Sequence, residues 1–228
     1  MDISSQKVFI AQKWMIERAN IAAKPIITAY QMLESMVNKT KPTRAESSDV
    51  ANAVLDGTDC VTLSQETSGG KFPVKAVRMM AQICAEAERC FNYSNYFKET
   101  IQYTISPVSI TEAVAQSAVS TVQHLHIDLI VVITDTGNIC RLLSKYKPAV
   151  PIFACCVSNN VIRSLQMVWG VTGYKIPSYQ GTENLLRLVI EEAKNMKMVS
   201  EGHKAVCIHS SSEETPDESN IMKIIEIV

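Results

Sequence analysis

The chain carries almost no net charge. Its 22 lysines and arginines stand against 23 aspartates and glutamates, leaving −1 at neutral pH. That balance gives no electrostatic footprint for nucleic acid or an anionic membrane surface, so neither is expected as a partner. Long hydrophobic runs are also missing. LIVVI at 129–133 is typical of the longest, far short of the roughly 20 residues a spanning helix needs. The opening MDISSQK shows no basic segment leading into an apolar stretch, so no secretory signal is expected there. Among the seven cysteines there is no CxxC pair and no Cys/His cluster at zinc spacing. Several lie inside apolar runs (DCVTL, FACCV, AVCIH), where a free thiol behaves as a small buried hydrophobe. A reducing, cytoplasmic setting suits that usage. The four histidines, 124, 126, 203 and 209, form no triad or ligand spacing.

What is present reads as a folded α/β protein. Hydrophobic residues make up 46% and charged residues 20%, a globular profile. Residues 5–22 suggest an amphipathic helix with Val8, Ala11, Met15 and Ala19 as its stripe. IITA (26–29) and CVTLS (60–64) read as strands, and QMLESMV has helical composition. Thr43 and Glu46 stand at capping-box spacing before a helix that Asp56-Gly57 should stop. A long helix is expected over about 72–91. Residues 92–108 lose periodicity and read as a linker.

A second series begins at Ser109, which with Glu112 makes another capping-box pattern. Strands are expected at 128–133, 151–156, near 168–173, at 204–209 and over 220–228, with helices between. The last two runs suggest a hairpin and hence a sheet that is mixed at one edge. Trp14 and Trp169 are expected to be packing residues, and SSSEETPDES (210–219) a solvated loop.

The segment from Lys24 to Thr67 carries the most specific pattern: KPIITAYQMLESM, then PTRAESSDVANAVLDGTD, then LSQET. It resembles the pyruvate kinase family. The resemblance continues more sparsely to Val228 and covers only the last part of the family's usual length. It implies a fold in two parts: a partial (β/α)8 barrel segment (1–91), then, past the linker, a doubly wound mixed-sheet α/β domain of regulatory type (109–228). It implies phosphoryl transfer from phosphoenolpyruvate to ADP, giving pyruvate and ATP in glycolysis, with magnesium and potassium as cations. The partners it implies are those substrates and products, and homo- or hetero-oligomeric association with pyruvate kinase subunits.

In the family, the metal-binding carboxylates and the catalytic lysine lie upstream of this stretch. Tyr30 stands where the family motif has threonine, and Gln65 where Ser64-Gln65-Glu66-Thr67 would have glycine second. A relaxed position filling an empty pocket is the other reading of Tyr30. Tyr30, Ser64, Glu66 and Thr67 are therefore expected as remnants of a site that is not complete. Arg44, Glu46 and Asp49 are a subunit contact by resemblance, or an ordinary capped helix start by composition.

The turn Thr134-Asp135-Thr136-Gly137-Asn138 follows a strand and opens a helix, a setting for an anion. Some family members hold a phosphorylated effector such as fructose 1,6-bisphosphate there, and they tend to carry lysine where Asp135 stands. A plain βα turn is the other reading. Taken together, the residues point to a pyruvate kinase-like chain, inactive alone. The options left open are an enzyme fragment, a truncated product or pseudoenzyme, a non-catalytic module pairing with full-length subunits, and a free-standing binding domain for a phosphorylated metabolite at 134–138.

Overall fold

In the computed structural model, residues 3–29 and 31–228 are described, and they divide into two units, 1–92 and 93–228. The first unit begins with α1 (Val8–Ile21), whose buried residues are Ile16 and Asn20 rather than the expected stripe. Val8, Phe9, Ile10, Trp14 and Met15 are all more than half exposed. Trp14, expected to pack, lies instead beneath the Arg18 guanidinium at 5.5 Å. Asn20 explains the choice of face, because its side-chain amide donates to the Gly57 carbonyl at 2.9 Å and must be inside to do so.

Two short strands follow: β1 (Ile27–Thr28) and β2 (Cys60–Val61), paired in parallel with Ile27 opposite Cys60. Both are shorter than expected, since among the described residues each has only the other as a ladder partner. The stretch read as helical after β1 forms a single 3₁₀ turn, Glu34–Val37. The helix α2 (Arg44–Leu55) starts as the residues demand, with both halves of the Thr43/Glu46 capping box made. A one-turn helix α3 (Gln65–Ser68) and the long α4 (Pro73–Arg89) complete the unit. Their core is small, built on Met32, Leu33, Met36, Val50, Ala76 and Met80.

In the second unit, the segment expected as a linker is largely helix. α5 (Tyr93–Tyr103) buries Phe97 in the unit's core, edge-on to Tyr146 at 5.8 Å. Its apolar positions are spread thinly among polar ones, so periodicity alone did not reveal it. α6 (Ile110–Leu125) is capped by Ser109, which accepts from the Glu112 amide. The reciprocal half of that expected box is replaced. The Glu112 carboxylate instead accepts from Lys145 Nζ at 2.6 Å and from the Tyr146 hydroxyl at 3.0 Å.

Strand and helix then alternate through β3 (Leu129–Ile133), α7 (Asn138–Lys145), β4 (Ile152–Cys156), α8 (Asn159–Leu165), β5 (Val171–Lys175), α9 (Thr182–Asn195) and β6 (Lys204–His209), and a final strand, β7 (Ile221–Glu226), follows β6 directly apart from a 3₁₀ turn at Pro216–Glu218. They build one sheet in the order β5-β4-β3-β6-β7, parallel except for the antiparallel edge strand β7. Period-two alternation sends successive strand residues to opposite faces. Ile130, Val132, Ile152 and Val206 pack beneath α6, α7 and α8, while Leu129, Val131, Phe153 and Cys207 pack against α9. The sheet is covered on both faces, hence the doubly wound arrangement.

None of the seven cysteines is joined in a disulfide, and Cys140, Cys155, Cys156 and Cys207 are buried. Burial pushes the Cys140 and Cys207 thiols up to about 12, which makes them packing groups rather than nucleophiles. Trp169 is buried as expected, with Lys147 Nζ 4.6 Å over its ring. Among the described residues no helix is long and apolar enough to cross a membrane.

Candidate functional site

The first candidate region gathers around β1 and β2. Tyr30 lies outside the described residues. Glu66, at the start of α3, is only 3% exposed. Its carboxylate accepts from the Ser64 amide at 2.7 Å and from the Leu33 amide at 3.2 Å. It therefore ties the QMLES loop to the turn after β2. Thr67 Oγ1 donates to the Ser64 carbonyl at 3.0 Å, closing the same turn. Gly70 is forced by this geometry, because a Cβ there would meet the Glu66 carbonyl oxygen at 2.4 Å. The Ser64 side chain is exposed. Glu66 and Thr67 are thus occupied with positioning the loops. Among the described residues, no three His, Cys, Asp or Glu side chains converge as a metal site would require.

At the start of α2, Arg44 and Asp49 are exposed, whereas Glu46 is turned inward. Its carboxylate accepts from the Ser35 amide and hydroxyl, both at 2.6 Å, and from the Thr43 amide at 2.7 Å and hydroxyl at 2.9 Å. Burial by itself would raise this carboxyl, but the Ser35 and Thr43 donors outweigh it and hold it at about 2. Glu46 works inside its own unit, joining α2 to the 34–37 turn.

The second candidate region is the turn between β3 and α7. Gly137 sits at φ +74°, and a Cβ there would press on the Leu165 side chain at 2.9 Å. Thr134 is fully buried, and its Oγ1 accepts from the Gly137 amide at 2.9 Å. The turn's outward donors converge on one acceptor, Asp217. Thr134 Oγ1 donates to Asp217 Oδ1 at 2.7 Å, the Asp135 amide to the same oxygen at 2.9 Å, and the Thr136 amide to Oδ2 at 3.0 Å. Burial would raise the Asp217 carboxyl, yet these donors hold it below the ordinary carboxylate range.

Asp135, which the residues alone marked as the charge in this turn, faces elsewhere. Its carboxylate accepts from the Tyr179 hydroxyl at 2.9 Å. Burial, with Cys156 and Asp135 beside it, pushes that phenol well up.

The segment 210–219, expected as a solvated loop, is therefore anchored. Glu213 also docks: its Oε1 accepts from the Gly181 and Thr182 amides at 2.9 and 3.0 Å and from the Thr182 hydroxyl at 3.1 Å. Asp217, Glu213 and Tyr179 are the residues that sequence reasoning missed. Their partners lie 22 to 83 positions away in the chain, and no local pattern marks them.

Two family models match: the pyruvate kinase barrel domain over residues 1–77 and the pyruvate kinase alpha/beta domain over residues 112–225. Pyruvate kinase of Eimeria tenella is 48% identical over 227 residues, covering all of this chain and 43% of that protein. A cytosolic pyruvate kinase isozyme of Glycine max is 40% identical over 228 residues, covering 92% of this chain and 45% of its own length. The crystal structure of a pyruvate kinase from Cryptosporidium parvum superposes with a TM-score of 0.95 at 42% identity, covering all of this chain and 45% of that one. The same organism's enzyme has been solved in complex with ADP, with a TM-score of 0.93. The chain thus spans a little under half the length of these relatives. Residues 1–77 match as barrel domain and residues 112–225 as alpha/beta domain, so the chain belongs to the pyruvate kinase family.

Proposed function

We propose that this chain serves the reaction of its family, phosphoryl transfer from phosphoenolpyruvate to ADP giving pyruvate and ATP, and that it does not turn over by itself. The family reaction is supported by identity that runs the full length of the chain. Inactivity in isolation is supported by one observation above all. Glu66, the carboxylate retained at the family's S-G-E-T position, is spent on backbone amides of two loops.

Phosphoryl transfer of this kind needs cations on the phosphoryl oxygens and a cationic side chain on the developing charge. The magnesium and potassium that the family implies would supply the first. Among the described residues no three His, Cys, Asp or Glu side chains gather, and no step is routed through a metal here. What this chain contributes is positioning: Glu66 and Thr67 set the turn after β2, and Glu46 sets the start of α2. Substrates, products and a cytoplasmic, glycolytic setting follow from the same reading. The Glycine max relative named as a cytosolic isozyme is in keeping with it.

A coupled assay with phosphoenolpyruvate, ADP, Mg²⁺ and K⁺ on the purified chain tests the proposal. Turnover above about 1 s⁻¹, within the ordinary enzyme range, overturns it.

A second reading, a non-catalytic module pairing with full-length pyruvate kinase subunits, is favoured by the exposed Phe9, Ile10, Trp14 and Met15 of α1 and Val74 and Val77 of α4. Apolar surface of that kind marks an unfilled contact. Arg44 and Asp49, exposed at the start of α2, are proposed as part of the same contact. Co-elution with a full-length subunit, lost on Trp14→Glu, is the expected result. Unchanged elution of both proteins when mixed removes this reading.

A further inference from the structure

The helix α5 differs from the other long helices of the second unit in how little of it is buried. Phe97 and Thr100 are its buried residues, with Ile101 partly buried at the edge of the same core. The neighbouring α6 buries Ala115, Ala118, Val119 and Val122. The Thr100 hydroxyl adds no tie to another element, because it donates to the Tyr96 carbonyl of its own helix at 2.8 Å.

The seat of α5 is Tyr146, whose ring is fully buried. Phe97 meets that ring edge-on at 5.8 Å, and the Thr104 side chain, just past the helix, hydrogen-bonds the phenol. The phenol also donates to Glu112 Oε1 at 3.0 Å, and Lys145 Nζ donates to the same oxygen at 2.6 Å. These last two bonds join the start of α6 to the end of α7 and include nothing from α5. Lys145 is itself buried, and separating a buried ion pair costs far more than breaking a neutral hydrogen bond. The seat is therefore the stiff part, and it stays formed with its charges paired when α5 is away.

We propose that α5 is a latch, which docks on Tyr146 through Phe97 and Thr104 and opens separately from the sheet, lengthening the connection between the two units. Docked, it leaves residues 90–92 as the chain between α4 and the folded second unit; open, it leaves the whole of 90–109. The segment 104–109 beyond it is loosely held, with Ile105 86% exposed. A joint of a few residues couples the motions of two bodies, whereas a long flexible one only tethers them. Undocking exposes the Phe97 ring and breaks the Thr104 bond to the phenol. Opening the sheet exposes strands covered on both faces, a much larger apolar area. Openings of such different size occur as separate events. The reaction proposed above does not enter, so the failure of either idea leaves the other standing.

The test uses the full 228-residue chain and native-state hydrogen exchange at rising, sub-denaturing urea. In the wild-type chain, the amides of residues 97–103, normalised to intrinsic rates, should exchange at least about tenfold faster than those of β3 and β4. Their dependence on urea should also be much shallower, because a local opening exposes little surface. In Phe97→Ala the α5 amides should lose their protection while β3 and β4 remain protected. Proteolytic cleavage should then move from 104–109 into 93–103. Thr104→Val removes the hydroxyl at nearly constant shape and should quicken α5 exchange by about two- to tenfold.

The urea series on the wild-type chain needs no variant. If the α5 amides and the strand amides share one rate and one urea dependence there, the proposal is overturned. Loss of β3 and β4 protection together with α5 in Phe97→Ala, including failure of that variant to fold, overturns it as well. So does α5 exchange that is unchanged in both variants.

Discussion

Replacing Glu46 by glutamine isolates the contribution of one carboxylate to the first unit. The side chain accepts four hydrogen bonds, from the amides and hydroxyls of Ser35 and Thr43. Its carboxyl falls from the ordinary 4.5 to about 2. If that difference were fully realised it would be worth about 3 kcal/mol. The group is partly exposed, and solvent screening reduces the figure to about 1–2 kcal/mol.

The sign follows from the folded value lying below the unfolded one. The stabilisation is complete at neutral pH, begins to fade as pH falls below about 4.5, and is gone near 2. Hydrogen exchange at the Ser35 and Thr43 amides, normalised to intrinsic rates, reads it locally. Glu46→Gln should lower protection by about five- to thirtyfold at pH 7. The wild-type and variant curves should converge as the pH approaches 2. Equal protection at pH 7, or curves that separate further on acidification, would refute the reasoning.

In the second unit, Phe153→Ala should lower stability by about 3–5 kcal/mol in urea unfolding, as expected for a buried aromatic. Trp14→Ala, at an exposed site, should stay within about 0.5 kcal/mol. Gly137→Ala should cost about 1–2 kcal/mol, because alanine must adopt φ +74° and displace Leu165. Glu66→Gln should loosen exchange at the Leu33 and Ser64 amides together, since one carboxylate serves both. Limited proteolysis should cut first within residues 104–109, where Ile105 is 86% exposed, and spare the helix α5 just before it. First cleavage inside 93–103 contradicts the packing of Phe97.

Local chemistry was enough for much of this protein. The continuous apolar runs of β3, β4 and β6 and the stop at Asp56-Gly57 could be read from neighbouring residues alone. So could the Thr43/Glu46 cap, because each depends on groups within a few positions. The specific stretch from Lys24 to Thr67 likewise pointed to the family before any fold was known.

What depended on distant partners could not be read in this way. α1 buries Ile16 and Asn20 because Gly57 offers a carbonyl to the asparagine, not because of its own periodicity. Glu112 looked like half of a capping box until Lys145 and Tyr146 claimed it. Asp135 looked like the charge facing the turn, but Tyr179 holds it, and Asp217 fills the turn from 81 to 83 residues away. Hydrogen-bond donors and carboxylates are satisfied by whichever partner the fold brings near. Their identity is a property of the sheet's topology and not of any local pattern.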